Sequence, residues 1–181
     1  MSNRRKVLIF LFILAAVVII DRAGKYLATE CLADGLRRSY LADLLRLEYM
    51  HNTGAILGLG SQLPEGIRRW LMPVSTILIL IWVSVMLVRD RKFGWVAAGF
   101  CLVWAGGFAN LVDRIAYGQV VDFFNLGIGE IRTGTSNLAD VAIMAGIPLI
   151  LIGWLPSKPK ESGIDAPGGD SAGSSLQGGV S

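Results

Sequence analysis

Four long apolar blocks restrict what this chain can become: about Val7 to Leu27, Leu71 to Val88, Gly94 to Val112 and Leu138 to Leu155. A helix needs roughly 20 predominantly apolar residues to cross the hydrocarbon core of a bilayer. Backbone polar groups in lipid must be satisfied within the structure, so such blocks are read as helices. Composition agrees, since 53% hydrophobic residues in a chain of 181 and a mean hydropathy of +0.55 are too apolar for a soluble domain of this size. The expected fold is an all-α membrane protein built as a four-transmembrane-helix bundle.

The first block resembles a secretory signal, with Arg4, Arg5 and Lys6 ahead of an apolar core. No Ala-x-Ala cleavage site follows, and Asp21, Arg22 and Lys25 close the run, so it is read as a retained span. Arg89, Arg91 and Lys92 crowd the very short turn between the second and third blocks, and Lys158 and Lys160 follow the fourth. Basic residues favour the cytoplasmic side, which puts both termini there. Arg37, Arg38, Arg46, Arg68 and Arg69 lie in the outward segments, so the density of charge in the short turn decides the orientation. The net charge of +3 is accounted for by basic anchors at span ends, and no nucleic acid partner is expected. Cys31 falls outside the spans and Cys101 within the third, which argues against a disulfide or a Cys-based metal site.

The outward segment from about Ala28 to Trp70 contains Leu45 to Met50, where apolar and polar residues alternate as in a half-buried strand. Asn52-Thr53-Gly54 supplies a turn. A small extramembrane β-sheet is expected here, with an interfacial helix on the outer side over Glu65 to Trp70. The second outward segment, about Asp113 to Ser136, is Gly-rich and holds Asp122. From Pro156 to Ser181, Gly, Ser, Pro and Asp dominate, which predicts a disordered cytoplasmic tail after a membrane domain of residues 1–155.

Two acids sit where lipid should least tolerate them. Asp122 lies within Val120-Val121-Asp122-Phe123-Phe124, and Asp140 opens the last apolar block. An ionisable group at bilayer depth costs several kcal/mol unless paired or wetted, so it is a functional candidate by default. Two carboxyls sharing one proton suffice for general acid/base hydrolysis. Other polar residues fall into helical register: Asp21 with Lys25, then Gly106, Asn110 and Arg114, then Asn137 with Asp140.

Each set has a simpler reading. Asp21 and Lys25 can be an interfacial ion pair, Gly106 a close-packing site with Asn110 as packing glue, and Asn137 an N-cap with Asp140 favoured by the helix dipole. Apolar neighbours raise the pKa of Asp122, although strand alternation could turn it to water. His51, the only histidine, leaves no Ser-His-Asp set and no His/Cys cluster for zinc. No cofactor is expected. Two other classes of function are a proton relay through Asp21, Lys25, Asp122 and Asp140, and a transferase holding magnesium on carboxylates.

Taken in order, Asp21-Arg-Ala-Gly-Lys25, Asn52-Thr-Gly54-Ala55, Gly106-Gly-Phe-Ala-Asn110-Leu-Val-Asp113-Arg114, Val121-Asp122-Phe123 and Asn137-Leu-Ala-Asp140 resemble the motif series of the bacterial lipoprotein signal peptidases, or signal peptidase II. The resemblance implies an aspartic endopeptidase of the bacterial cytoplasmic membrane that cuts prolipoproteins just before a diacylglyceryl-modified cysteine. Asp122 and Asp140 would be the catalytic dyad near the outer face. Asn52, Asn110, Arg114 and Asn137 would bind substrate or orient the dyad, and Asp21, Lys25, Gly54 and Gly106 would support them, with no metal. Membrane lipids and a globomycin-type inhibitor are the further partners implied. Ile56-Leu57, Ala109 and Ser136 depart from the residues commonly found at those places, which bears on substrate preference and not on the chemistry.

Overall fold

The computed structural model describes residues 1–54, 64–90 and 93–154. The expected tail and the departures Ile56 and Leu57 lie outside them. Four helices emerge, α1 (Asn3–Leu32), α2 (Glu65–Arg89), α3 (Trp95–Tyr117) and α4 (Leu138–Trp154), with strands β1 (Arg38–Tyr40), β2 (Leu45–Asn52), β3 (Val120–Ile128) and β4 (Ile131–Ser136) between them.

The helices centre on α3, which packs against the other three, most extensively against α4. Glycine makes that closeness possible. A Cβ on Gly99 would lie 2.6 Å from the carbonyl oxygen of Gly146, and one on Gly146 would lie 2.6 Å from the carbonyl oxygen of Gly99, so the two helices cross backbone to backbone. Further along, a Cβ on Gly106 would collide with the carbonyl oxygen of Ala139. Val83, Phe100 and Ile150 form a core cluster among α2, α3 and α4. Elsewhere large apolar side chains face outward, among them Leu8, Phe12 and Ile19 on α1 and Leu78 and Trp82 on α2. Exposed apolar surface on that scale marks a face meant for lipid.

The sheet is antiparallel, in the order β1-β2-β3-β4. It is larger than the sequence suggested, because the Gly-rich second segment contributes the β3–β4 hairpin. The protein is therefore mostly helical with a four-stranded sheet. A bulge interrupts the β2–β3 register between Leu47 and Met50, immediately beside Asp122, which pairs with Met50. Bulges bend a strand and re-aim its side chains.

Helix bounds also differ from those expected. α1 runs on to Leu32 and α3 to Tyr117, so Asp113 and Arg114 are helical. Gly118, at φ 72°, ends α3 by donating its N–H to the carbonyl of Arg114. Among the described residues three helices are long and apolar enough to cross a membrane, and α4, with 17 residues, is shorter. Cys31 is exposed and Cys101 buried, both free.

Candidate active site

Asp122 and Asp140 arrive from different elements. Val120 and Asp122 share the inward face of β3, so strand alternation turns the acid away from water, leaving it 1% exposed. Asp140 lies in the first turn of α4. Between them stands Asn137, also 1% exposed. Its side-chain amide donates to Asp122 Oδ1 at 2.6 Å, and its backbone N–H donates to Asp140 Oδ2 at 3.3 Å. Its Oδ1 in turn accepts from the backbone N–H of Asp140 at 3.0 Å. Asn137 and Asp140 thus form a reciprocal cap of α4. The simpler reading of these two residues is correct as geometry, and the same cap brings both acids onto one residue.

The remaining carboxylate oxygens are held in the same way. Asn52 Nδ2 donates to Asp122 Oδ2 at 2.8 Å, while its Oδ1 accepts from the N–H of Gly54. Gly54 needs to be glycine twice over, with φ 94° and with Met72 filling the space of a Cβ. Asn110 Nδ2 donates to Asp140 Oδ1 at 2.8 Å, and its Oδ1 accepts from Lys25 Nζ at 3.1 Å.

Lys25 leads into a buried ion cluster. Its ammonium lies 2.6 Å from Asp21 Oδ2 and 2.6 Å from Asp113 Oδ2. Arg22 pairs with Asp113 from the rim. Asp21 Oδ1 accepts from the backbone N–H of Ala139 at 2.9 Å, so an acid on α1 satisfies an orphan donor at the start of α4. Asp21 and Lys25 are therefore more than an interfacial pair. Asp113 belongs to the Gly106–Arg114 motif without being expected at the site; its signal in the sequence is an acid three residues after Asn110, on the same helix face.

Burial raises the pKa of Asp122, the amides of Asn52 and Asn137 oppose that rise, and the nearby Asp140 carboxyl adds to it. Arg114 interacts electrostatically with Asp140, Asp122 and Asp113. Its buried Nε has no hydrogen-bond partner among the described residues. His51 is exposed and within 3.1 Å of the Tyr49 hydroxyl, apart from the acids.

Two carboxyls clamped by amides at the meeting of a sheet and apolar helices can transfer protons in a place sheltered from bulk water. The comparisons with known proteins agree. The family model of signal peptidase (SPase) II matches residues 13–155. Similar relatives include the lipoprotein signal peptidases of Bifidobacterium adolescentis, 32% identical over 177 residues and covering 94% of this chain and 89% of the relative, and of Shigella flexneri, 35% identical over 156 residues and covering 84% and 93%. Two bacterial membrane enzymes solved by the in meso method superpose with TM-scores of 0.70 and 0.71 at 27% and 26% identity. They cover 81% and 87% of this chain and 92% and 94% of their own.

Fold, site and relatives together define a membrane aspartic peptidase. Within that class, the chain belongs to the signal peptidase II family.

Proposed function

We propose that this peptidase removes the signal peptide from prolipoproteins, cutting just before the diacylglyceryl-modified cysteine, with Asp122 and Asp140 as its catalytic dyad. The observation that carries the assignment is the grip of one residue, Asn137, on both acids. Two carboxyls so close resist double ionisation, so one stays protonated while the other takes a proton from water. The water attacks the scissile carbonyl, the protonated acid polarises that carbonyl, and a proton is delivered to the departing amine. The proton belongs to the pair and not to either acid. Arg114, whose Nε has no partner among the described residues, is positioned to donate a hydrogen bond to a substrate backbone carbonyl.

The same proposal places the protein in the bacterial cytoplasmic membrane with four spans, both termini cytoplasmic and the sheet on the outer face. α4 rises about 25 Å, close to the core thickness, and packs along α3 for its length. α2 is one continuous helix that contains Pro73, and its first turn, ahead of the apolar stretch Arg69–Arg89, would lie at headgroup level in the place of a separate interfacial helix. The substrate's lipid chains lie along the bundle in the bilayer, which fixes one peptide bond at the dyad. A globomycin-type inhibitor would compete there.

The test uses purified protein in detergent with a diacylglyceryl-modified precursor and an unlipidated control. Asp122→Asn and Asp140→Asn should each abolish cleavage of the lipidated precursor, and the control should stay intact. Full activity in either variant rejects the dyad.

A further inference from the structure

A second cavity, of about 490 Å³, lies on the other side of the ion cluster from the dyad, bounded by α1, the end of α3 and strands β2 and β3. Val121 and His51 line it, and they are register partners. Cross-strand partners share a face and neighbours along a strand alternate, so the cavity is on the face that Asp122 turns away from. The dyad and its amides do not use it.

Its lining is a set of hydrogen-bond donors. Arg22, Tyr26, Thr29, Tyr49, His51 and Gln119 all carry one, over a floor formed by Lys25 and Asp113. Among the described residues Asp113 is the one acid in the lining, and Asp113 and Asp21 together balance the charges of Lys25 and Arg22. Arg22 keeps 36% of its side chain exposed. The hydroxyls of Thr29 and Tyr49 and the ring of His51 form a chain, 3.5 Å and 3.1 Å between successive groups. A site rich in donors whose one carboxylate is neutralised suits an anion.

Its height identifies which anion. Lys6 and Tyr26 are twenty residues apart on one helix, and twenty residues rise about 30 Å, the thickness of the hydrocarbon core. With Lys6 among the basic residues at one interface, Tyr26 and the cavity fall at the headgroup level of the other. Tyr26 and Tyr117 flank the opening at 65% and 70% exposure, as aromatic residues do where glycerol meets acyl chain.

We propose that this cavity binds the phosphate of a membrane phospholipid on the sheet side of the bilayer. Arg22 supplies charge, and the Tyr49 and Gln119 side chains supply directed donors, while the Thr29 hydroxyl, which donates to the Lys25 carbonyl at 2.9 Å, shapes the wall. The bound headgroup would rest on the ion cluster that orients Asn110 toward Asp140. The site is separate from the dyad, and its occupancy is measured without turnover.

The full chain, delipidated in maltoside detergent, would be titrated with phosphatidylglycerol, with diacylglycerol of the same chains and with inorganic phosphate, and bound adducts counted by native mass spectrometry. The expected result is saturable binding of phosphatidylglycerol that persists when diacylglycerol fills the substrate's lipid path, and no displacement by inorganic phosphate. The double variant Tyr49→Phe, Gln119→Leu should bind the phospholipid about tenfold more weakly, at an unchanged melting temperature before lipid is added. The single variant Tyr49→Phe, which removes only a hydroxyl, should weaken it in the same direction. Displacement of phosphatidylglycerol by diacylglycerol, occupancy by inorganic phosphate in place of lipid, or undiminished binding by either variant would overturn the proposal.

Discussion

Three asparagines give the site its polarity. An amide can present either its oxygen or its nitrogen, and here each oxygen is already occupied by a donor: the Gly54 N–H for Asn52, the Lys25 ammonium for Asn110 and the Asp140 N–H for Asn137. Each nitrogen is thereby pointed at a carboxylate. Asn137→Ala should lower kcat on the order of 10²-fold or more, as for removal of an oriented donor from a charged site, and should also cost about 1 kcal/mol as a lost cap. Asn137→Ser separates the two effects. A serine hydroxyl still accepts from the Asp140 N–H and caps α4 but has no amide to donate to Asp122, so melting should recover while cleavage does not. A serine variant with near-normal turnover would reduce Asn137 to a cap. Asp122 carries a prediction in pH. Its pKa is raised by burial, so the stability that depends on it is fully present below the ordinary carboxylate value and is lost as pH rises through the higher folded value. Asp122→Asn cannot titrate. The melting temperature of the variant relative to the parent should therefore become more favourable between pH 4 and pH 8, and a constant difference would contradict the raised value. Asp122, Asp140 and the asparagines were legible in the sequence because chemistry-bearing residues in apolar runs are rare. The amide orientation was not, because it depends on partners as far away as Lys25, 85 residues from Asn110.

At the scale of elements, glycines in α3 and α4 set how closely the acids can be held. Gly106 sits under the carbonyl of Ala139, one residue before Asp140, whereas Gly99 and Gly146 meet two turns further from the site. Gly146→Ala should destabilise by about 1–3 kcal/mol through overpacking and leave turnover per folded molecule near normal. Gly106→Ala should lose more activity than stability, because it displaces the start of α4. Melting and initial-rate measurements on both variants check the contrast, and equal losses of activity would remove the special place of Gly106. Gly106 was legible from its register with Asn110 and Arg114. Gly99 and Gly146 were not, since a glycine in an apolar helix shows its role only when the facing backbone is known. The hairpin was obscured in a similar way. The segment is Gly-rich, yet Gly129, at φ 57°, makes the tight turn between β3 and β4, Gly134, at φ 78°, lies within β4 where the register shifts, and β-branched and aromatic residues from Val120 to Phe124 form the strand.

Across the whole molecule, Lys25 joins three helices. It contacts Asp21 on α1 and Asp113 and Asn110 on α3, and Asp21 reaches α4 through Ala139. Removing one partner from a buried ion cluster leaves charge uncompensated, so Lys25→Met should cost about 3–5 kcal/mol, read as a fall in melting temperature in detergent. An unchanged melting temperature would show that water reaches the cluster. The bond between Asp21 and Ala139 spans 118 residues of chain. Of the described helices α1 comes first in the chain and α4 last, so Asp21 gains its contact with Ala139 only when the final helix is present. A chain that stops short of α4 lacks Asp140 and this long-range tie together, so α1 is fastened to the site only when the last described helix is in place.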